Sequence, residues 1–380
     1  MTDTRGSGGA LAGVRVVDLS RVLAGPYCAQ LLGDHGADVV KVEPPVGDLT
    51  RTWGPSRADG VSAYYAGLNR NKRHLVADLT RSEGRDLVLG LLADADVVVE
   101  NFKPGTLERW GLAADDLMAS LPRLVWCRVT AFGADDPLAG QPGYDAVIQA
   151  HAGLMHLNGD PQGPPTRWPV PIADLTTALH AFSGVLLALQ ERERSGRGQM
   201  VEISLYDAAL SLLHPAAASY FMTGVPPSRL GSAHPDIAPC ETFRSPLGEL
   251  YVAAGSDRQF SVLVDVLGAP ALAADPRFAT NADRLRHRHE LNAELAGLIG
   301  RLDPSTDIAT ELIARGVPAS LVRPVEAVLA ALELAERGMV AELDGLRMLG
   351  IPVHLSRTPG SIRTPPRAVG ADVPREATPA

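Results

Sequence analysis

Short β-branched runs alternating with helix-compatible segments limit the folds open to this chain. "VRVVDL" (14–19) leads into the helix-like "PYCAQLLGDHG", then "ADVVKVE" (37–43) and, later, "ADVVVENF" (95–102). This is βαβ punctuation, and it calls for a sheet with helices between successive strands. Two more strands are expected at "RLVWCRVTAF" (123–132) and "GQMVEISLYD" (198–207), with a long apolar helix between them from about Asp174 to Glu193. The first part of the chain therefore reads as one doubly wound α/β domain.

A chain of 380 residues exceeds the usual size of one core, so two structural domains are expected. Beyond "AALSLLHPAAASYF", the Pro/Gly-rich stretch "TGVPPSRLGSAHPDIAP" has no apolar period and reads as a linker. The expected layout is a large domain over 1–215, a linker over 216–241, a smaller α+β domain over 242–336 and a C-terminal segment over 337–380. The small domain should hold a strand at "ELYVAA", a helix at "RQFSVLVDVLG", a charged helix at "ADRLRHRHELNAELAGLIG" and a strand near "PASLVRP". The proline-rich tail "GIPVHLSRTPGSIRTPPRAVGADVPREATPA" lacks a helical period and is expected to be extended or partly disordered.

Composition removes several functional classes. Hydrophobic residues make up 46% and charged residues 21%, without an uninterrupted apolar run near the ~20 residues of a membrane-spanning helix. The start, "MTDTRGSGGALAG", has no basic lead followed by an apolar block. A soluble, cytoplasmic protein without a membrane partner is the expectation. Cys28, Cys127 and Cys240 lie far apart, which suggests small core residues and neither a disulfide framework nor a zinc site. A net charge of -9 disfavours a nucleic-acid surface. HExxH, GxSxG, GxxxxGK[ST] and GxGxxG signatures are missing, and the two histidines of "HRHE" (287–290) point to different sides of a helix, so no metal is expected.

Two places invite chemistry. In "SRVLAGPYCAQLLGDHG" a strand runs directly into a helix, with Gly25 permitting close approach and Pro26 suited to the first helical turn. Such a helix start offers free amides to an anion, although a plain strand-to-helix turn reads the same way. Arg21, Lys41, Arg51, Lys72 and Arg73 are the nearby cations in sequence. The second place is Asp174 in "PVPIADLTTALHAF", which suits an N-cap, a role compatible with that of a carboxylate nucleophile kept ionised by the helix dipole.

Seven blocks in order carry a resemblance over nearly the whole chain: "GVRVVDLSRVLAGPYCAQLLGDHGADVVKVEPPVGDLTR", "NRNKRHLVADL", "ADVVVENFKPGTLERWGL", "PGYDAVIQAHAGLM", "PPTRWPVPIADLTTALHAFSGVLLALQERERSGRGQ", "DPRFATNADRLRHRHEL" and "RGVPASLVRPVEAV". The chain resembles the family III CoA-transferases, the group that contains formyl-CoA and carnitine CoA-transferases. The resemblance implies an α/β fold with a Rossmann-like large domain completed by the C-terminal segment, a small α+β domain, and an interlocked homodimer. It implies coenzyme A as carrier, an acyl-CoA and a free carboxylic acid as substrates, and Asp174 as the group on which anhydride and aspartyl-CoA thioester intermediates form. Held ionised near the ordinary ~3.9, Asp174 would need no general base. The loop "AAGSDRQF" (253–260) matches the family's small-domain amide loop.

The resemblance also implies cofactor contacts. Leu23 and Ala24 match the nucleotide turn, Ala77, Asp78, Leu79 and Thr80 an adenosine-facing segment, Asn101, Phe102 and Arg109 positions along the cofactor, and Tyr144 a residue near the thioester. Pro44 stands where relatives carry an arginine, which leaves phosphate neutralisation to Arg51, Lys72 or Arg73. His151, Met155, Trp168 and Tyr220 are candidates for substrate specificity. The competing reading within the same fold is an α-methylacyl-CoA racemase or another acyl-CoA isomerase, which carries a histidine in place of Tyr144 and a glutamate near Asp257. An NAD-dependent dehydrogenase lacks its glycine fingerprint here, and a passive CoA-binding protein would not need Asp174.

Overall fold

The protein is described by a computed structural model covering residues 8–372. Six parallel strands form its main sheet: β1 (Arg15–Asp18), β2 (Asp38–Glu43), β3 (Lys72–Val76), β4 (Val97–Glu100), β5 (Val125–Thr130) and β6 (Met200–Ser204). Their order is β3-β2-β1-β4-β5-β6. The order reverses between β1 and β4, which leaves a crevice outside the carboxyl ends of those strands. Val16, Val39, Val97 and Val99 face the first helix (Ala24–Asp34) and the long helix (Ile172–Ser195), while Val17, Val40 and Val98 face the opposite way. Successive side chains point to opposite faces, and both faces are covered, so these strands are nearly continuous valine.

β3 is absent from the sequence-based expectation because "KRHLV" carries cations where a buried strand usually carries apolar residues. Lys72 and His74 are nevertheless buried. Each has a partner: Lys72 Nζ donates to Asp18 at 2.8 Å, and His74 Nδ1 lies 2.9 Å from the Tyr65 hydroxyl. Burial of the Lys72 charge is tolerable only with such pairing, and burial lowers the His74 pKa so that its ring is held neutral.

The chain divides into two compact units. The first takes residues up to Met155, Arg167–Val225 and those from Leu332 on, and the second takes His156–Thr166 and Pro226–Ala331. Residues 156–166, counted with the first domain on sequence, thus fall in the second unit. The expected linker opens with a helix, Ala216–Thr223, and its end already belongs to a strand, β7 (Cys240–Ser245). β7 pairs antiparallel with β8 (Gly248–Ala253), which pairs with β9 (Ala319–Leu321). Phe243, Leu250, Phe260, Leu291 and Leu295 form that unit's own core. The expected charged helix is broken at His287 into Asn281–Arg286 and Arg288–Ile299.

By length and composition the long helix could cross a membrane. It lies instead against the first helix, β5 and β6, with Ala173, Ala178, Ala181 and Val185 in the core. The last strands, β10 (Val340–Leu343) and β11 (Leu346–Leu349), form an antiparallel pair in the first unit. Residues 351–372 contain no helix or strand, yet they are tied down. Asn71 accepts from the Arg363 amide at 2.7 Å and donates to the Ser361 carbonyl at 2.8 Å, and the His74 amide donates to Asp372 at 2.8 Å. The end of the expected tail, 373–380, lies outside the described residues.

Candidate active site

The carboxyl ends of β1, β2, β4 and β5 open onto a cleft of about 770 Å³, within the usual size of a small-molecule site. Leu23, Ala24, Asn101, Phe102, Tyr144 and Asp174 all line it. The structure therefore brings together six of the expected site residues.

One edge of the cleft is the turn that joins β1 to the first helix. Asn101 accepts from the Arg21 amide at 2.8 Å and donates to the Arg21 carbonyl at 2.7 Å, so its side-chain amide is occupied by the backbone of that turn. Leu23 is the N-cap of the first helix, without a side-chain cap. No described residue accepts a hydrogen bond from the Leu23, Ala24 or Gly25 amides. Free donors at a helix start, with Leu23 and Ala24 on the wall of the cleft, suit an anionic group.

Asp174 also lines the cleft, in the first turn of the long helix, and is only 9% exposed. It is not the N-cap expected on sequence, because Pro171 occupies that position. Capping falls to Asp145, whose carboxylate accepts from the amides of Ala173 at 2.9 Å and Asp174 at 3.3 Å. Asp145 is itself fixed by Gln149, which donates to it at 2.6 Å. Sequence reasoning missed Asp145 because the helix it caps begins far along the chain.

That arrangement corrects the expected ionisation of Asp174. The amides that would have stabilised its charge belong to Asp145, and no described residue donates a hydrogen bond to its carboxylate. Burial, and then the negative charge of Asp145, raise its pKa to about 7. Burial and the same acidic surroundings raise the nearby Tyr64 to about 12 and keep it protonated.

The expected phosphate cations sit elsewhere. Arg51 forms a two-point pair with Glu43, at 2.8 and 2.6 Å, donates its remaining terminal nitrogen to the Arg367 carbonyl, and stacks over the Tyr65 ring. Lys72 is fully buried against Asp18, and burial lowers its pKa to about 8. Arg73 pairs with Asp38 at the opposite, amino end of the sheet. The basic side chains on the cleft wall are Arg21, stacked over Phe102 at 5.0 Å, and Lys103.

Ala77, Asp78, Leu79 and Thr80 follow the end of β3 but do not line the cleft; Asp78 accepts from the Thr80 amide and hydroxyl. Arg109 ends a short helix and turns back to Thr106 at 3.2 Å. His151 packs edge-on against Phe132, which lines the cleft, whereas Met155, Trp168 and Tyr220 do not line it. In the second unit, the amides of Ala254 and Ser256 within 253–260 are taken by the Pro239 carbonyl and Gln259, leaving Gly255 without an acceptor among the described residues.

Comparison with known proteins adds to this geometry. The sequence profile of CoA-transferase family III matches residues 11–373. The chain belongs to that family. The succinate–glutarate CoA-transferase of Agrobacterium fabrum is 39% identical over 97% of this chain and 95% of its own length. The acetyl-CoA:oxalate CoA-transferase of Acetobacter aceti is 37% identical over 92% of this chain and 90% of its own length. Among solved structures, a CAIB/BAIF family protein from Brucella suis superimposes with a TM-score of 0.86 and 40% identity, over 96% of this chain and 97% of that one. This family III chain is accordingly a CoA-transferase, an enzyme of a family that uses CoA substrates.

Proposed function

We propose that Asp174 is the covalent nucleophile that carries CoA between two carboxylic acids. The observation that supports this best is its carboxylate on the cleft wall, buried at a helix start and free of hydrogen-bond donors among the described residues. A carboxylate with so little stabilisation is a strong nucleophile once ionised. Its oxygen attacks the donor thioester carbonyl and expels CoA thiolate, leaving an acyl–aspartyl anhydride. The thiolate then attacks the Asp174 carbonyl, which forms the aspartyl-CoA thioester and frees the donor acid. The acceptor carboxylate attacks this thioester, and the released thiolate attacks the acceptor side of the new anhydride. The products are acceptor-CoA and the regenerated Asp174 carboxylate. A carboxylate nucleophile suits this exchange because entering and leaving groups match in basicity; a serine ester would be too stable.

The CoA chain is expected along Leu23, Ala24 and Phe102, with Tyr144 near the thioester and Arg21 and Lys103 facing its phosphates. The acids in the relatives' names, succinate, glutarate and oxalate, support small dicarboxylates as donor and acceptor. The racemase reading has less support. Tyr144 occupies the place of the expected base, and one oxygen of Asp257 is held by Arg284 at 2.7 Å. A homodimer fits the surface: the helix Ala216–Thr223 buries none of its residues, and Phe221 and Met222 are 82% and 88% exposed.

The test is to incubate the protein with succinyl-CoA, trap with hydroxylamine or borohydride, and map the modification by peptide mass spectrometry. Label on Asp174, and its loss in Asp174→Ala, is the expected result. An unmodified Asp174 peptide during continued turnover refutes the assignment.

A further inference from the structure

Around the turn that carries Leu23 and Ala24 lies a buried charge network that the transfer chemistry does not use, with Val22 and Asp48 also bordering the cleft. Val22 in that turn has φ +70, a left-handed conformation that β-branched residues rarely adopt. Its amide donates to Asp48 Oδ2 at 3.2 Å. The same oxygen lies 3.4 Å from Lys41 Nζ, which donates at 2.8 Å to the Ser20 carbonyl and lies 3.7 Å from Asp18. Asp18 in turn accepts from the Ser20 amide and hydroxyl. The other oxygen of Asp48 accepts from the Thr50 amide and hydroxyl, and the Asp48 amide donates to Glu43. Lys41 and Asp48 are both fully or nearly fully buried.

Ser20, Arg21 and Val22 are therefore each gripped through the backbone, by Lys41, Asn101 and Asp48 respectively. A left-handed, non-glycine residue costs of order 1–3 kcal/mol and persists only where its surroundings over-determine it. From this grip we propose that Asp48, locked by Lys41, is a positioning residue that holds Val22 left-handed and so aims the free Leu23 and Ala24 amides at the CoA chain. The inference rests on the CoA-site reading above. Asp48 acts through the backbone of Val22.

The experiment uses the full-length protein and measures CoA affinity by calorimetry alongside thermal unfolding. The variants are Asp48→Ala, Val22→Gly and the two together. Glycine adopts positive φ about as readily as negative φ, so it should make the turn independent of Asp48. Asp48→Ala should weaken CoA binding at least tenfold. Val22→Gly alone should change it less than threefold. The double variant should recover most of the lost affinity while keeping the lowered unfolding temperature of Asp48→Ala. Unchanged affinity in folded Asp48→Ala overturns the proposal, as does a loss that glycine fails to restore. If Asp48→Ala does not fold, Asp48→Asn takes its place with an expected loss of at least threefold, since one oxygen must replace two. Failure of the unaltered protein to bind CoA would instead refute the underlying site.

Discussion

With its pKa raised from 3.8 to about 7, Asp174 is destabilising when ionised. A raised carboxyl contributes stability in its protonated form; the contribution is complete below pH 3.8 and is lost as pH rises towards 7. Asp174→Asn removes the charge at nearly constant shape. It should abolish transfer yet be more stable than the parent at pH 8 by roughly 2–4 kcal/mol, with the gap closing near pH 4. Urea unfolding at both pH values checks this, and an equal gap at both would exclude ionisation as the cause. Only the ionised form attacks, so the rate of adduct formation should rise about tenfold per pH unit below 7 and level off above it. Asp145→Asn keeps an acceptor for the Ala173 and Asp174 amides while removing a negative charge. The break in the rate profile should then move to lower pH, which a stopped-flow series with succinyl-CoA would reveal.

Among the elements, the first helix depends on close approach to the β1 turn. A Cβ on Gly25 would fall within the Ser20 side chain, so Gly25→Ala should push the helix from the turn. The expected loss is about 1–3 kcal/mol of stability together with weakened CoA binding, read by denaturant titration and calorimetry. How far such elements are legible depends on the forces that fix them. β1, β2 and β4 are readable because burial on two faces demands runs such as Val16–Val17 and Val97–Val99. β3 is not, since the partners that make burial of Lys72 tolerable include Asp18 on another strand and the Pro26 carbonyl in the first helix. Asp174 stands out by its position at the start of an apolar helix, but its ionisation depends on its burial and then on Asp145, in a separate segment. Arg51 looked free for the same reason: nothing local announces its two-point bond to Glu43.

At the scale of the whole molecule, the apolar Phe221 and Met222 are left in water by a single chain. Sedimentation should give a mass close to twice 40.1 kDa, and Phe221→Glu with Met222→Glu should shift it to one copy with most activity lost. A sedimentation profile unaltered by both charges would place the contact elsewhere. The first unit is also discontinuous along the chain, and its β3 edge is fastened by Ser361, Arg363 and Asp372. During translation, that edge waits while the entire second unit emerges from the ribosome. The nascent sheet must therefore wait with one border open, and the border made among the earliest is the last to be closed.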